Sequence, residues 1–147
     1  MTEVSFHFNV ADRTAYTCGL VRDLSRRGAA VVLTGPAPAL ARLDRALWAF
    51  DPIGFVPHVL LRPGQQPAER LRRTRVWLAA DPSQPGPHEC LVNIGDDAPP
   101  GFESFDSLVE VVSLDDADRA QARLRWKHYA ARGYAIRRVE PATEGAR

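Results

Sequence analysis

Arg123, Trp126 and Lys127 stand three and four positions apart near the end of the chain, inside a run from Arg123 to Tyr134 in which cations and aromatics interleave. Residues at that spacing are neighbours on one face of a helix, so two cations would flank one aromatic plate. An arginine donates bidentately to a carboxylate or phosphate, and a tryptophan buries apolar area against whatever carries that anion. The pattern therefore suits a ligand that is anionic and also apolar. The alternative is an ordinary solvated helix face, although large aromatics between cations are more typical of interfaces than of inert surfaces. Lys127 is the only lysine, every other one of the 19 cations being an arginine.

Other chemistries find few residues to work with. Gly35-Pro36 lies between a strand-like and a helix-like run, where a phosphate loop would be, but neither G-x-G-x-x-G nor G-x-x-x-x-G-K-[ST] is present. His7, His58, His88 and His128 are scattered and Cys18 and Cys90 form no C-x-x-C, so no metal-ligand spacing exists. No serine stands in a G-x-S-x-G elbow. Asn93 to Asp97 follows a strand-like run, where α/β enzymes place carboxylates, and reads equally as a turn. The basic run Arg70 to Arg75 could touch phosphates, yet a formal net charge of +1 gives no global field for a polyanion. Trp48 and Phe55, separated by Asp51-Pro52, form a second aromatic cluster, open to a reading as core or as partner surface. No catalytic residue, cofactor or metal is expected.

These residues must be positioned by a chain of 147 residues, the size of one domain, with 45% hydrophobic and 25% charged residues. No apolar run reaches the roughly 20 residues that cross a bilayer. The opening residues lack a basic segment followed by an apolar one, and two cysteines suit reduced thiols, so a cytoplasmic protein is expected, with both cysteines in the core. Val4 to Val10 alternates like a half-buried strand, and Asp12 can cap a helix carrying Tyr16, Leu20 and Leu24 that stops at Gly28. Ala29 to Leu33 reads as an inner strand. Leu40, Leu43, Leu47 and Phe50 mark a second helix, ended by Asp51-Pro52. Phe55 to Leu61, with Pro57, reads as an edge strand. Further strands are expected at Val76 to Ala80, Glu89 to Gly95 and Leu108 to Ser113, then a helix capped near Asp115 and running to about Arg132. The order predicts an α/β fold with a mostly parallel or mixed central sheet flanked by helices. Residues 1–138 are expected to form a single domain and 139–147 a flexible tail.

Leu-Asp-Arg-Ala-Leu-Trp at 43–48, Phe-Val-Pro-His at 55–58, the Glu110 to Val112 strand, and Ala122 to Tyr129 followed by Gly133-Tyr134 together resemble the chi subunit of bacterial DNA polymerase III, over nearly the whole chain. The resemblance implies a Rossmann-like α/β fold used as a binding platform without catalysis. It implies two protein partners, the psi subunit, which joins it to the clamp loader, and the acidic C-terminal tail of single-stranded DNA-binding protein, which ends in a phenylalanine carboxylate. DNA would be engaged only indirectly, and no membrane is implied. Carried over by position, Arg123 matches the carboxylate-binding arginine, Lys127 a second cation, Trp126 an aromatic beside the pocket, Phe55 an apolar pocket wall, and Gly133 also matches. Trp48, Leu114 and Tyr134 are further candidates for the pocket or a partner surface. Trp126 stands where a tyrosine can stand, and the connection from Val112 to the last helix is shorter, which brings Ser113 and Leu114 towards the pocket. Two rivals remain at this level: a small α/β nucleotide-binding protein or enzyme using Gly35 and Asn93 to Asp97, and a direct single-stranded DNA binder using Trp126 and Arg70 to Arg75.

Overall fold

The computed structural model describes residues 1–50 and 55–141. The alternating segment forms β1 (Glu3–Val10) and buries Val4, Phe6 and Val10. The Asp12 carboxylate accepts from the Ala15 amide at 3.0 Å, capping α1 (Arg13–Arg26), and Gly28, at φ 84°, supplies the left-handed residue after it. There follow β2 (Val31–Thr34), buried throughout, and α2 (Ala37–Phe50), which buries Leu40, Leu43 and Leu47. Strand β3 (Val59–Leu61) starts only after Pro57, which has no amide hydrogen for a ladder. Then come β4 (Val76–Ala79), β5 (Cys90–Asn93), β6 (Ser107–Ser113), α3 (Asp116–Ala131) and β7 (Ile136–Val139), with single 3-10 turns at Glu69–Leu71 and Phe102–Ser104.

The strands form one seven-stranded sheet in the order β3-β4-β2-β5-β6-β1-β7. Every pairing is parallel, so the sheet is not mixed. Parallel strands need crossovers, and these put a core on each face. Val31, Leu33, Val109 and Val111 join the apolar sides of α1 and α2 in one core, while Phe6, Val32, Leu108 and Val112 join Ala122 and Tyr129 of α3 in the other. Both cysteines are buried, and burial with Asp12 nearby pushes the Cys18 thiol up to about 11.

Strand β7 is the element that the sequence did not announce. It is four residues long, carries Arg137 and Arg138 at its centre, and is held from one side only, by β1. The expected tail boundary is therefore too early at 139, since Val139 pairs with His7. Asp51-Pro52 and residues 142–147, assigned to a helix stop and to most of that tail, lie outside the described residues.

One polar cluster sits where the apolar pattern of β6 would forbid it. Glu110 is wholly buried, and three side chains donate to it: Arg125 Nε at 3.0 Å, Tyr129 Oη at 2.6 Å and Asn93 Nδ2 at 2.9 Å. Arg125 Nη1 also donates to the Asp96 carbonyl at 2.7 Å. Arg125 and Tyr129 are four apart on the inner face of α3, so the network fixes that helix in rotation as well as in place. Burial raises the Glu110 carboxyl to about 7, against the pull of Arg125 and the three donors.

Removing one partner of such a pair leaves the other charge stranded, so Arg125→Met at pH 8 should lower stability by about 3 to 5 kcal/mol in urea unfolding, and a loss below about 1 kcal/mol would contradict this account. The pH dependence has a definite sign. The folded carboxyl holds its proton up to about 7 and the unfolded one only to its ordinary 4.5, so its stabilising contribution is full below 4.5 and is lost as pH rises through 7. Glu110→Gln mimics the neutral carboxyl and cannot ionise, so urea unfolding should show wild type falling in stability relative to it as pH rises across that window.

Candidate functional site

The outer face of α3 and the β1-β7 edge of the sheet enclose a groove of about 320 Å³, lined by Arg119, Arg123, Trp126 and Lys127 from the helix, Phe8 and Asn9 from the end of β1, and Arg138 from β7. The three residues picked out by helical spacing thus share one cavity. Trp126 is half-buried, its ring centroid 5.1 Å from that of Phe6 and 5.9 Å from that of Phe8, so it forms the apolar floor. Phe6 and Arg138 are register partners in adjacent parallel strands, which puts the arginine on the α3 side of the sheet. Its guanidinium lies 5.0 Å from the centre of the Phe8 ring. Between His7 and Val10 the register of β1 shifts, and Asn9 there has φ 57°, a left-handed conformation that asparagine tolerates better than most residues. Its side-chain amide donates to the Glu140 carboxylate.

The lining has four cations and no acidic residue. Among the described residues none of the four has a carboxylate partner. A cluster of like charges around an apolar floor is an unsatisfied arrangement, and a ligand with an anionic and an aromatic part relieves both deficits.

A second surface stands at the opposite edge. Phe55, just before β3, stacks on Trp48 of α2 with centroids 4.9 Å apart, and the two side chains are 42% and 59% exposed. Beneath them the buried His58 ring donates through Nδ1 to the Val56 carbonyl at 2.7 Å and brings Nε2 to 3.1 Å from Asp44 Oδ1, an ion-pair distance without hydrogen-bond alignment. The segments 43–48 and 55–58 therefore clasp each other, carboxylate to imidazole and indole to phenyl.

A family model described as DNA polymerase III chi subunit, HolC, matches residues 1–137. The chain belongs to that family. DNA polymerase III subunit chi of Haemophilus influenzae is 30% identical over 120 residues, 81% of each chain. The subunit of the same name from Pseudomonas aeruginosa is 30% identical over 142 residues, 92% of this chain and 94% of that one.

In this chi-family chain Phe55 is not a wall of the Arg123 groove. β3 and β7 are the two extreme strands of the sheet, so Phe55 and Arg123 belong to opposite edges, and the partner of Phe55 is Trp48. Tyr134 packs on Phe102, centroids 5.3 Å apart, and belongs to the core on the α3 face rather than to the groove lining. Leu114 is 51% exposed and also outside the lining. The short connection at Ser113 is a structural joint: its amide and hydroxyl donate to Asp118 Oδ2 at 2.8 and 2.9 Å, and Arg13 adds an ion pair to the same oxygen at 3.1 Å. Phe8, Asn9, Arg119 and Arg138 escaped the sequence reading. Arg119, four before Arg123, carried a visible signal; the other three reach the groove only through strand register.

Gly35 and the 93–97 segment line a cavity of about 220 Å³ at the strand ends and also do structural work. A Cβ on Gly35 would lie 2.8 Å from Ile94 Cγ1, and one on Gly95 3.4 Å from Gly35 Cα, so these glycines let two turns pack against each other. Asn93 Oδ1 accepts from the Gly95 amide at 2.9 Å, its Nδ2 donates to the Asp97 carbonyl at 3.0 Å, and the segment 93–97 closes as a turn over Glu110. Arg70 to Arg75 lies between β3 and β4, across the sheet from Trp126, so the two do not form one continuous surface. Among the described residues no three of His, Cys, Asp or Glu gather as a metal site, and no helix is long and apolar enough to cross a membrane.

Gly133 also lies outside the groove lining and ends α3 at φ 84°, with its amide donating to the Ala130 carbonyl at 3.1 Å and that of Tyr134 to the Tyr129 carbonyl at 3.2 Å. A Cβ there meets nothing within 4 Å, so Gly133→Ala should cost roughly 1 to 2 kcal/mol from backbone strain alone. Thermal unfolding measures it; a loss well above that range would mean that the position is sterically closed.

Proposed function

We propose that this chain is a non-catalytic accessory subunit of the replicative polymerase, cytoplasmic, that holds the acidic C-terminal tail of single-stranded DNA-binding protein in the Arg123 groove and, through psi, ties it to the clamp loader. The observation that carries this reading is the groove itself: four cations, without carboxylate partners among the described residues, around the half-buried Trp126 and Phe8. A peptide that ends in phenylalanine supplies the aromatic ring and the carboxylate on one residue. Arg123 takes the carboxylate, Lys127 adds a second positive charge one turn on, and Trp126 takes the ring.

The exposed Trp48-Phe55 pair supports a second protein contact, assigned here to psi. It is an exposed aromatic stack formed by α2 and the segment before β3, of the kind interface anchors use, and it lies at the opposite edge of the sheet from the groove. Two partners held at opposite edges do not compete for space, which is what a linker requires. The single domain that spans both surfaces is read as running from the start of the chain through Val139, the last residue of β7.

A charge-assisted hydrogen bond contributes about 1.5 to 3 kcal/mol and the burial of a phenylalanine about as much, and association costs remove a large part of the sum. The isolated tail peptide should therefore bind with a dissociation constant on the order of micromolar, rising with salt. Fluorescence anisotropy with a labelled acidic peptide ending in phenylalanine tests this. Arg123→Ala and amidation of the peptide's carboxylate should each weaken binding by roughly tenfold or more; equal binding by wild type and Arg123→Ala would overturn the site.

A further inference from the structure

Parallel pairing brings two arginine-rich stretches, distant in sequence, to one end of the sheet. Val31 of β2 pairs with Val76 of β4, so the segments that lead into these inner strands meet: the end of α1 with Arg26 and Arg27, and the turn that carries Arg70, Arg72, Arg73 and Arg75. Arg75 Nη1 donates to the Gly28 carbonyl at 2.7 Å, and the Val31 amide donates to the Arg75 carbonyl at 2.6 Å, which fixes the junction. The turn is internally bonded as well, the Thr74 amide donating to the Leu71 carbonyl at 2.8 Å and Trp77 Nε1 to the Thr74 carbonyl at 2.9 Å. All six arginines are exposed. Nearby carboxylates offset little of their charge. Glu69 stands 3.7 Å from Arg72, with both side chains largely in solvent; Asp23 is with Arg22, and Glu89 accepts from the Ala30 amide at 3.3 Å. The partner of Arg75 is a neutral carbonyl, and Arg27, Arg70 and Arg73 have no carboxylate partner among the described residues. The dipole of α1 accounts for cations at its own end, but not for four more on the facing turn.

We propose that this face docks on the phosphate backbone of duplex DNA, without base contacts. None of the large exposed apolar side chains, Trp48, Phe55, Leu114 and Leu124 among them, belongs to either stretch. Protein interfaces centre on such anchors, and single strands are gripped by stacking bases on aromatic rings. The exposed rings closest in topology, Trp48 and Phe55 ahead of β3, are stacked on each other. What the two stretches offer is guanidinium alone, which forks onto two phosphate oxygens. A duplex presents such oxygens densely, one charge per about 1.7 Å of axis. The face lies at the amino ends of β2 and β4, whereas the Arg123 groove lies at the carboxyl end of β1 and beside β7, so both can be occupied at once. With a formal net charge of only +1 there is no long-range pull, and the contact is weak and made when DNA is already close.

Anisotropy titrations of a short labelled duplex of arbitrary sequence, from low salt upwards, would compare wild type, the Arg70→Gln/Arg73→Gln double variant and Arg27→Gln. Arg75 is left in place because it holds the Gly28 carbonyl. Thermal unfolding checks that the variants remain folded. The double variant should weaken duplex binding about tenfold, as expected for two exposed ion pairs, and should lower the slope of log K against log salt by about two; Arg27→Gln should lower it by about one. Affinity for the acidic tail peptide should be unchanged in all of them. Equal duplex binding by wild type and the double variant, or its loss with Arg123→Ala instead, overturns the proposal. A parallel loss of peptide affinity would make the effect one of overall charge and overturns the site equally. So would a single strand of the same length bound more tightly than the duplex, which means base stacking, or polyglutamate of the same charge bound more tightly, which means an acidic protein partner.

Discussion

Glu110 takes three hydrogen bonds inside a strand that is otherwise apolar, and the orientation of α3 follows from them. The buried face of that helix is Asp118, Ala122, Arg125 and Tyr129, a set with little greasy area to anchor it. Apolar contact alone is non-directional and would let such a helix roll or slide by a fraction of a turn. Directed bonds from Arg125 and Tyr129 to one carboxylate do not. Because Arg123, Trp126 and Lys127 are on the same helix, the buried pair sets where the outward cations point. The cost of desolvating the pair is visible in the raised Glu110 carboxyl. What it secures is a single register between β6 and α3.

Much of the frame was legible in the chain because it obeys simple periodicity. Alternation marked β1, an unbroken apolar run marked β2, a run interrupted only by Glu110 marked β6, and Asp12 and Asp115 stood where helix caps are needed. The misses share a physical cause. Strand β7 is short, charged at its centre and held from one side, so its apolar content is too small to register as a pattern. Phe8, Asn9 and Arg138 reach the groove through strand pairing, which no local window contains. Glu110 and Arg125 contradict the rule that buried positions are apolar; the trace they left was a lone glutamate within Leu108 to Val112 and an Arg-Tyr pair at a spacing of four.

The error about Phe55 is instructive for the same reason. Similarity brought Phe55 and Arg123 together as parts of one motif set, but only strand order says which residues share an edge. With β3 and β7 at the two ends of seven strands, the set divides into two surfaces. The division also explains the most recognisable segments. Asp44 and Trp48 on α2 meet His58 and Phe55, so residues 43–48 and 55–58 are two halves of one clasp that presents an exposed aromatic stack.

The ends of β2 and β5, where a fold of this kind commonly leaves room for a nucleotide, keep a cavity of about 220 Å³ between turns that are held tightly together. Gly35 and Gly95 bring the two turns into contact, Asn93 pins its own turn, and Asp96 gives its carbonyl to Arg125. Asn93 and Asp96 thus serve the Glu110 network and line that cavity at once. The cation-lined groove and the exposed aromatic stack lie elsewhere, at the two lateral edges of the sheet. A formal net charge of only +1 is then no obstacle to binding an anion, because the relevant field is the local one around Arg119, Arg123, Lys127 and Arg138. The balancing acidic residues stand outside that lining, so the attraction is short-ranged and confined to one groove.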